Sequence, residues 1–361
     1  MSSKNSLLVG TRKGLIIYKR NASGQWKYES TEFKGIPVTI ATIDEVTGYW
    51  WAMLDHGHWG CKLHRSKDGQ TWEELEAPKY PEGEEVKEGV PAVTRYLWAF
   101  AQGGKDRPGT IYVGTEPGGL FKSTDNGDHF ELVRGLWDHP SRKDQWFGGG
   151  RDHPGIHSIL VDPADSDHIY VAISCAGTFE TKDGGQSWHP MNKGLRADFL
   201  PDPEMEIGQD PHLVDWCAGD TKVMWQQNHC GIYRSADGGA QWTDISEKDG
   251  PADFGFAIAA SETDPNKAWV VPGISDQLRV AVNGALCVCR TDDGGKTWKA
   301  LREGLPQEQV FDITYRHALD VSGSTLAFGT TTGNLYLSEN DGDHWTVLSH
   351  NLPMVHSVSF C

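Results

Sequence analysis

A seven-bladed β-propeller, each blade a four-stranded antiparallel sheet, is the fold this sequence predicts. Three observations carry it: a turn that recurs along the chain, a spacing between copies that suits four short strands, and a match between the two ends. The turn reads Ser/Thr-x-Asp-x-Gly-x-x-Trp, clearest in Ser123 to Phe130, Thr181 to Trp188, Ser235 to Trp242 and Thr291 to Trp298. Ser338 to Trp345 carries Asn340 in the acidic place, Ser66 to Trp72 is one residue short, and Asn21 to Trp26 is a worn copy. Successive closing aromatics lie 46 to 58 residues apart, room for one blade and its loops.

Each residue type in the turn has a mechanical job. The carboxylate and the hydroxyl accept bonds from backbone N–H groups of their own turn. Glycine takes a positive φ that a Cβ would penalise. The tryptophan leaves on a strand and buries a large ring against a neighbour. A carboxylate that repeats at this period is framework, not catalyst.

Upstream of each turn come two apolar runs with a polar break, as in Leu7-Leu-Val-Gly-Thr11 with Leu15-Ile-Ile-Tyr18, Ile111-Tyr-Val-Gly-Thr115 with Gly119-Leu-Phe121, and Leu326-Ala-Phe-Gly-Thr330 with Leu335-Tyr336. Further upstream lies another strand, such as Ile156-His-Ser-Ile-Leu-Val161. The unit is therefore strand A, strand B, strand C, turn, strand D. The first unit has no strand A of its own. Val355-His-Ser-Val-Ser-Phe-Cys361 matches Ile156 to Asp162 in pattern, so the C-terminal segment is expected to be the innermost strand of the first blade, making residues 1–361 a single propeller domain.

These turns resemble the Asp-box, or bacterial neuraminidase (BNR), repeats of sialidase-like propellers. They also occur in sortilin-type receptors, xyloglucanases and the photosystem II assembly factor. The likeness covers the whole chain and resembles bacterial proteins labelled "glycosyl hydrolase, BNR repeat". It implies the fold, and it leaves function open because the superfold hosts hydrolases, receptors and assembly factors. Sialidases also carry an Arg-Ile-Pro segment. The nearest sequence here, Lys34-Gly-Ile-Pro37, lacks the arginine, so no sialidase catalytic residue is carried over.

Composition narrows the function classes. A formal charge of -17 without a basic run argues against a nucleic-acid partner. No window is apolar enough for a membrane span, and the first residues lack a signal-peptide pattern. Seven cysteines then read as reduced thiols in a cytoplasmic protein. Cys287-Val-Cys289 would face one side of a strand as a buried pair.

The unusual residues gather in the B–C breaks and the D–A connections, which share one face of a propeller. Aligning the blades sets His157, His212 and His356 at the start of strand A, with His229 and His58 from B–C breaks. Imidazoles from several blades suit one divalent transition metal, Zn, Mn, Fe or Ni. Glu116 with Asp152 or Glu204 is a candidate carboxylate pair for glycoside hydrolysis, which requires a separation of about 5–9.5 Å. Arg12, Arg142 and Arg151 are candidates to grip a carboxylate or phosphate by two-pronged bonds. His56, Gln227, Asn228 and Trp59 complete the expected substrate-binding set. The expected function is that of a hydrolase or lyase acting on a small polar sugar or sugar acid at a His-rich, metal-binding mouth. The alternative is a non-catalytic scaffold propeller that recognises a protein partner, with the segment Glu73 to Thr94 ordering only on that partner.

Overall fold

The computed structural model describes residues 4–361. Within them lie seven four-stranded antiparallel sheets, the seven-bladed β-propeller, and one small hairpin, Glu85–Lys87 with Val90–Pro91. Blade 1 runs Val355–Phe360, Ser6–Thr11, Gly14–Arg20, Trp26–Glu32 from strand A to strand D. Val9 pairs with Val358 and Leu7 with Phe360, so the C-terminal segment does supply the missing strand. Blades 2 to 7 follow in chain order, with strands A at Val38–Ile43, Tyr96–Gln102, Ile156–Asp162, Pro211–Cys217, Gly255–Ala260 and Leu319–Ser322. One compact unit (Met1–Thr42, His212–Gly238, Thr243–Cys361) holds blades 1, 5, 6 and 7 with most of strand A of blade 2, and the other (Ile43–Pro211, Gly239–Trp242) holds the rest of blade 2 with blades 3 and 4.

The recurring turn is built as its residue types dictate. Thr291 Oγ1 donates to Asp293 Oδ1 at 2.9 Å and accepts from Gly295 N at 2.9 Å, while Asp293 accepts from Thr297 N at 2.9 Å. Gly295 adopts φ +88, and a Cβ there would stand 2.5 Å from Ile245 Cδ1. The same network closes the turns at Asp68, Asp125 and Asp183, and Asn340 replaces the carboxylate without loss of the bond to His344 N. Trp298 leaves its turn and donates Nε1 to Ile245 O of blade 5, tying neighbouring blades together.

The core lies between blades. In the first unit, Trp269, Val271, Leu326, Phe328, Tyr336 and Trp345 fill the space between blades 6 and 7. Trp26, Val358 and Phe360 pack with Leu335 and Leu337 between blades 7 and 1. In the second unit, Ile156, Ile169, Val171, Phe179 and Trp188 pack against Tyr112 and Trp146. Each such ring or branched chain contributes roughly 1.5–3 kcal/mol by leaving water. The glycine of the Val/Phe-Gly-Thr segments has a packing reason of its own. A Cβ on Gly114 would meet Ile156 Cγ2 at 2.6 Å, and one on Gly329 would meet Val355 Cγ1 at 2.3 Å. Strand B thus needs a bare backbone where the next blade's strand A crosses it.

The segment Glu73 to Thr94 is tied to blade 3 and the loop that follows it by specific bonds. Tyr80 Oη bonds Thr115 Oγ1 and Pro117 O at 2.7 Å, and Glu84 accepts from Arg134 Nη1 and Trp137 Nε1 at 2.6 Å. Arg142 donates to Glu85 O and Val86 O and lies 3.7 Å from the Trp137 ring. A buried guanidinium with this many carbonyl partners fixes the segment from beneath.

All seven cysteines are free. Cys287 and Cys289 are buried with sulfurs 4.0 Å apart, the one-sided pair the spacing implies. No helix among the described residues is long and apolar enough to cross a membrane.

Candidate functional site

Two groups of polar residues stand out, one in each unit. In blades 2–4, Glu116 ends strand B of blade 3 (Ile111–Glu116), where pairing with Tyr96 holds its backbone. Its buried carboxylate accepts from Arg151 Nη1 at 2.9 Å. The Arg151 guanidinium lies 3.8 Å from the Tyr96 ring and 4.9 Å from that of Trp98. Guanidinium, carboxylate and two aromatic faces make a rigid assembly in which the charge is paired in a partly dry setting. His157 stands edge-on to Trp98 at 5.8 Å, with Nδ1 3.1 Å from Ser158 Oγ. Asp152 is 80% exposed and pairs with Arg95 Nη1 at 3.2 Å.

Beside this assembly a cleft encloses about 500 Å³, open solvent included, with Lys87, Lys143, Trp146, Phe147, Asp152 and His153 in its wall. Gly118, two residues beyond Glu116, is also in the wall. Trp137 and Trp146, also in the wall, are 1% and 7% exposed.

The second group lies in blades 5–7. His212, the second residue of strand A of blade 5, is buried and donates Nδ1–H to Gly255 O at 2.6 Å. Its ring stacks on Phe256 at 4.5 Å and meets His229 edge-on at 5.5 Å. Phe254 packs against both imidazoles, and Tyr315 lies 5.2 Å from Phe256. Arg279 and Arg316 bring guanidiniums within 5.2 and 5.3 Å of the Phe256 ring. His212 and His229 each offer a ligand atom within 4.8 Å of the other's.

The structure distributes the remaining candidates unevenly. His58, His157 and His356 stand outside the group that holds His212 and His229, the cluster of this kind among the described residues. His58 sits on the exposed 3-10 turn Gly57–Trp59, edge-on to Trp59, which is 68% exposed; His56 precedes that turn and is half-buried. Arg12 is exposed in the turn between strands B and C of blade 1. Gln227 and Asn228 are fully buried, and their side chains serve the framework. Asn228 Nδ2 donates to Gln226 Oε1 at 2.7 Å, its Oδ1 accepts from Cys230 N, and Gln227 Nε2 reaches Gly231 O and Asp253 O. This ladder holds the turn that presents His229. Sequence reasoning passed over Tyr96, Trp98 and Phe256.

No family model matches the chain. It is 23% identical over 289 residues to a xyloglucanase of Paenibacillus sp, across 70% of this chain and 27% of that protein. The match to xyloglucanase Xgh74A of Acetivibrio thermocellus is also 23% identical, over 297 residues, 69% of this chain and 32% of the relative. The chain thus spans a third or less of these curated relatives. Among solved structures, the GH74 enzyme of Niastella koreensis superposes with a TM-score of 0.61 at 13% identity, over 95% of this chain and 54% of that one. YCF48 bound to D1 peptide superposes with a TM-score of 0.54 at 13% identity, over 93% of both chains. At these identities the structural likeness speaks for the propeller fold alone.

Proposed function

We propose that this chain is a carbohydrate-directed propeller, a hydrolase or lyase that holds a small sugar or sugar acid in the cleft of blades 3 and 4. The observation that carries the reading is the cleft wall itself. It sets two lysines, a histidine and a carboxylate around a space bordered by Trp146 and Phe147. Lysine ammonium groups meet a substrate carboxylate, Trp146 and Phe147 give a pyranose ring an apolar wall, and Asp152 is exposed where it can exchange a proton. The paired Glu116 and Arg151 supply fixed charge next to the wall. Sequence likeness to xyloglucanases supports a sugar as the substrate class.

The test is titration with a neutral xyloglucan oligosaccharide and with an oligouronate, followed by product analysis. Binding of the acidic ligand should exceed that of the neutral one, and Lys143→Ala should narrow the gap. Asp152→Asn should lower turnover by about 10²–10⁴ while leaving ligand affinity close to that of the parent. Absence of binding and of product with both ligands would overturn the proposal.

A second reading, a binding propeller without catalysis, is favoured by the whole-length superposition on YCF48 bound to D1 peptide. It predicts ligand capture with no product, unchanged by Asp152→Asn.

A further inference from the structure

We infer that the cleft of blades 3 and 4 is built to hold a phosphate monoester, so that the sugar it takes is a sugar phosphate. The inference rests on the carbohydrate reading above and narrows it. It starts from a mismatch of charge. The chain carries a formal charge of -17, yet this cleft wall sets Lys87, Arg142 and Lys143 against one carboxylate, Asp152. Asp152 is already paired with Arg95 Nη1 at 3.2 Å. None of the three wall cations makes an ion pair among the described residues.

Arg142 is the telling member. It is 6% exposed, and a guanidinium buried without a counter-charge is costly. Nε donates to Trp137 O, and Nη1 donates to Glu85 O and Val86 O at 3.1 and 2.7 Å. Carbonyl oxygens satisfy these donors without cancelling the charge. Nη2 makes no hydrogen bond among the described residues. The acid whose charge acts on it most, Glu84, is itself held by Arg134 Nη1 and Trp137 Nε1 at 2.6 Å. An anion in the cleft supplies the missing counter-charge.

The arrangement of donors selects the kind of anion. A guanidinium that grips a carboxylate uses two parallel N–H bonds, and Arg142 has given Nε and Nη1 to the backbone. What remains is three single-point donors, one each from Lys87, Arg142 and Lys143. They match the three terminal oxygens of a phosphate ester better than the two oxygens of a carboxylate. Charge agrees, since a phosphate monoester carries about -1.5 to -2 at pH 7 and a carboxylate a single negative charge. Trp146, Phe147 and Pro154 give the sugar ring its apolar wall.

The test is calorimetric titration of the full chain with glucose 6-phosphate, glucose 6-sulfate, glucuronate and glucose. The phosphate should bind most tightly. The tetrahedral but singly charged sulfate ester and the planar carboxylate of glucuronate should each bind about tenfold or more weakly, and glucose weakest. Lys87→Ala and Lys143→Ala should each weaken phosphate binding by about tenfold and leave glucose binding unchanged. Lys105→Ala, in the exposed turn between strands A and B of blade 3, should leave all four as in the parent. Sulfate ester or glucuronate binding as tightly as the phosphate, or phosphate binding that both cleft variants leave untouched, would overturn this inference and leave the carbohydrate reading standing. Oligouronate binding without glucose 6-phosphate binding would do the same. Binding of none of the four, nor of the oligosaccharides named above, would overturn both.

Discussion

Asp320 in strand A of blade 7 shows what one carboxyl can do to the pH response of this fold. Its oxygens accept from Val321 N and Phe360 N at 2.8 and 2.7 Å, the second a strand A of the neighbouring blade. Asp215 repeats the arrangement in blade 5, accepting from Trp216 N and Ala260 N. Burial pushes both carboxyls from their ordinary 3.8 up to about 6. A raised acid binds its proton more tightly folded than unfolded, so its contribution is complete below pH 3.8 and is lost as the pH rises to about 6. The turn carboxylates run the other way. Backbone N–H bonds hold Asp68, and the His129 contact holds Asp125, at about 2, so their contribution is lost as the pH falls from 3.8 toward 2. We predict that Asp320→Asn flattens the decline in urea midpoint between pH 4 and 6, by roughly 2 kcal/mol over that window. An unchanged slope would mean that Asp320 ionises as freely in the fold as out of it.

At the scale of the element, the turns were legible in the sequence because each position answers to a local rule. Hydroxyl, carboxylate and glycine each satisfy a bond or a φ angle within a few residues, and that signature survives even where Asn340 replaces the acid. The bare glycine of strand B was not legible as a packing device, because its reason lies in another blade. Gly114 shows this: its need is set by Ile156, which the chain reaches only after a long connection. Gly114→Ala should therefore destabilise by about 1–3 kcal/mol through overpacking, whereas Gly48→Ala, with φ +74 but nothing within 4 Å, should cost only the backbone term of about 1 kcal/mol. Denaturant midpoints for the two variants side by side would check the order. The same limit applied to the sites. His212 and His229 were visible as unusual residues, but Phe256, which stacks on His212, reads in sequence as one more apolar strand residue. The anchor of Glu73 to Thr94 was not legible either, because Arg142, which bonds it, lies far along the chain.

For the whole molecule, the repeat gave the number of sheets and the end-to-end match gave the closing strand, since both are patterns of apolar residues that a single chain displays. Phe360, within that closing strand, is 3% exposed and lies 5.7 Å from the Trp26 ring in the cluster between blades 7 and 1. Phe360→Ala should cost about 3–5 kcal/mol, a core-sized loss from the strand that closes blade 1. A loss under 1 kcal/mol in equilibrium unfolding would show that blade 1 holds without its inner strand.

That closing strand also sets an order of events during synthesis. Leu7 and Val9 leave the ribosome long before their partners Phe360 and Val358. Until those partners arrive the first sheet presents an unpaired apolar edge, the kind that seeks strands in other chains. The nascent protein therefore has a long interval of vulnerability that only strand A of blade 1 ends, and holding chaperones should matter most for it before that strand docks.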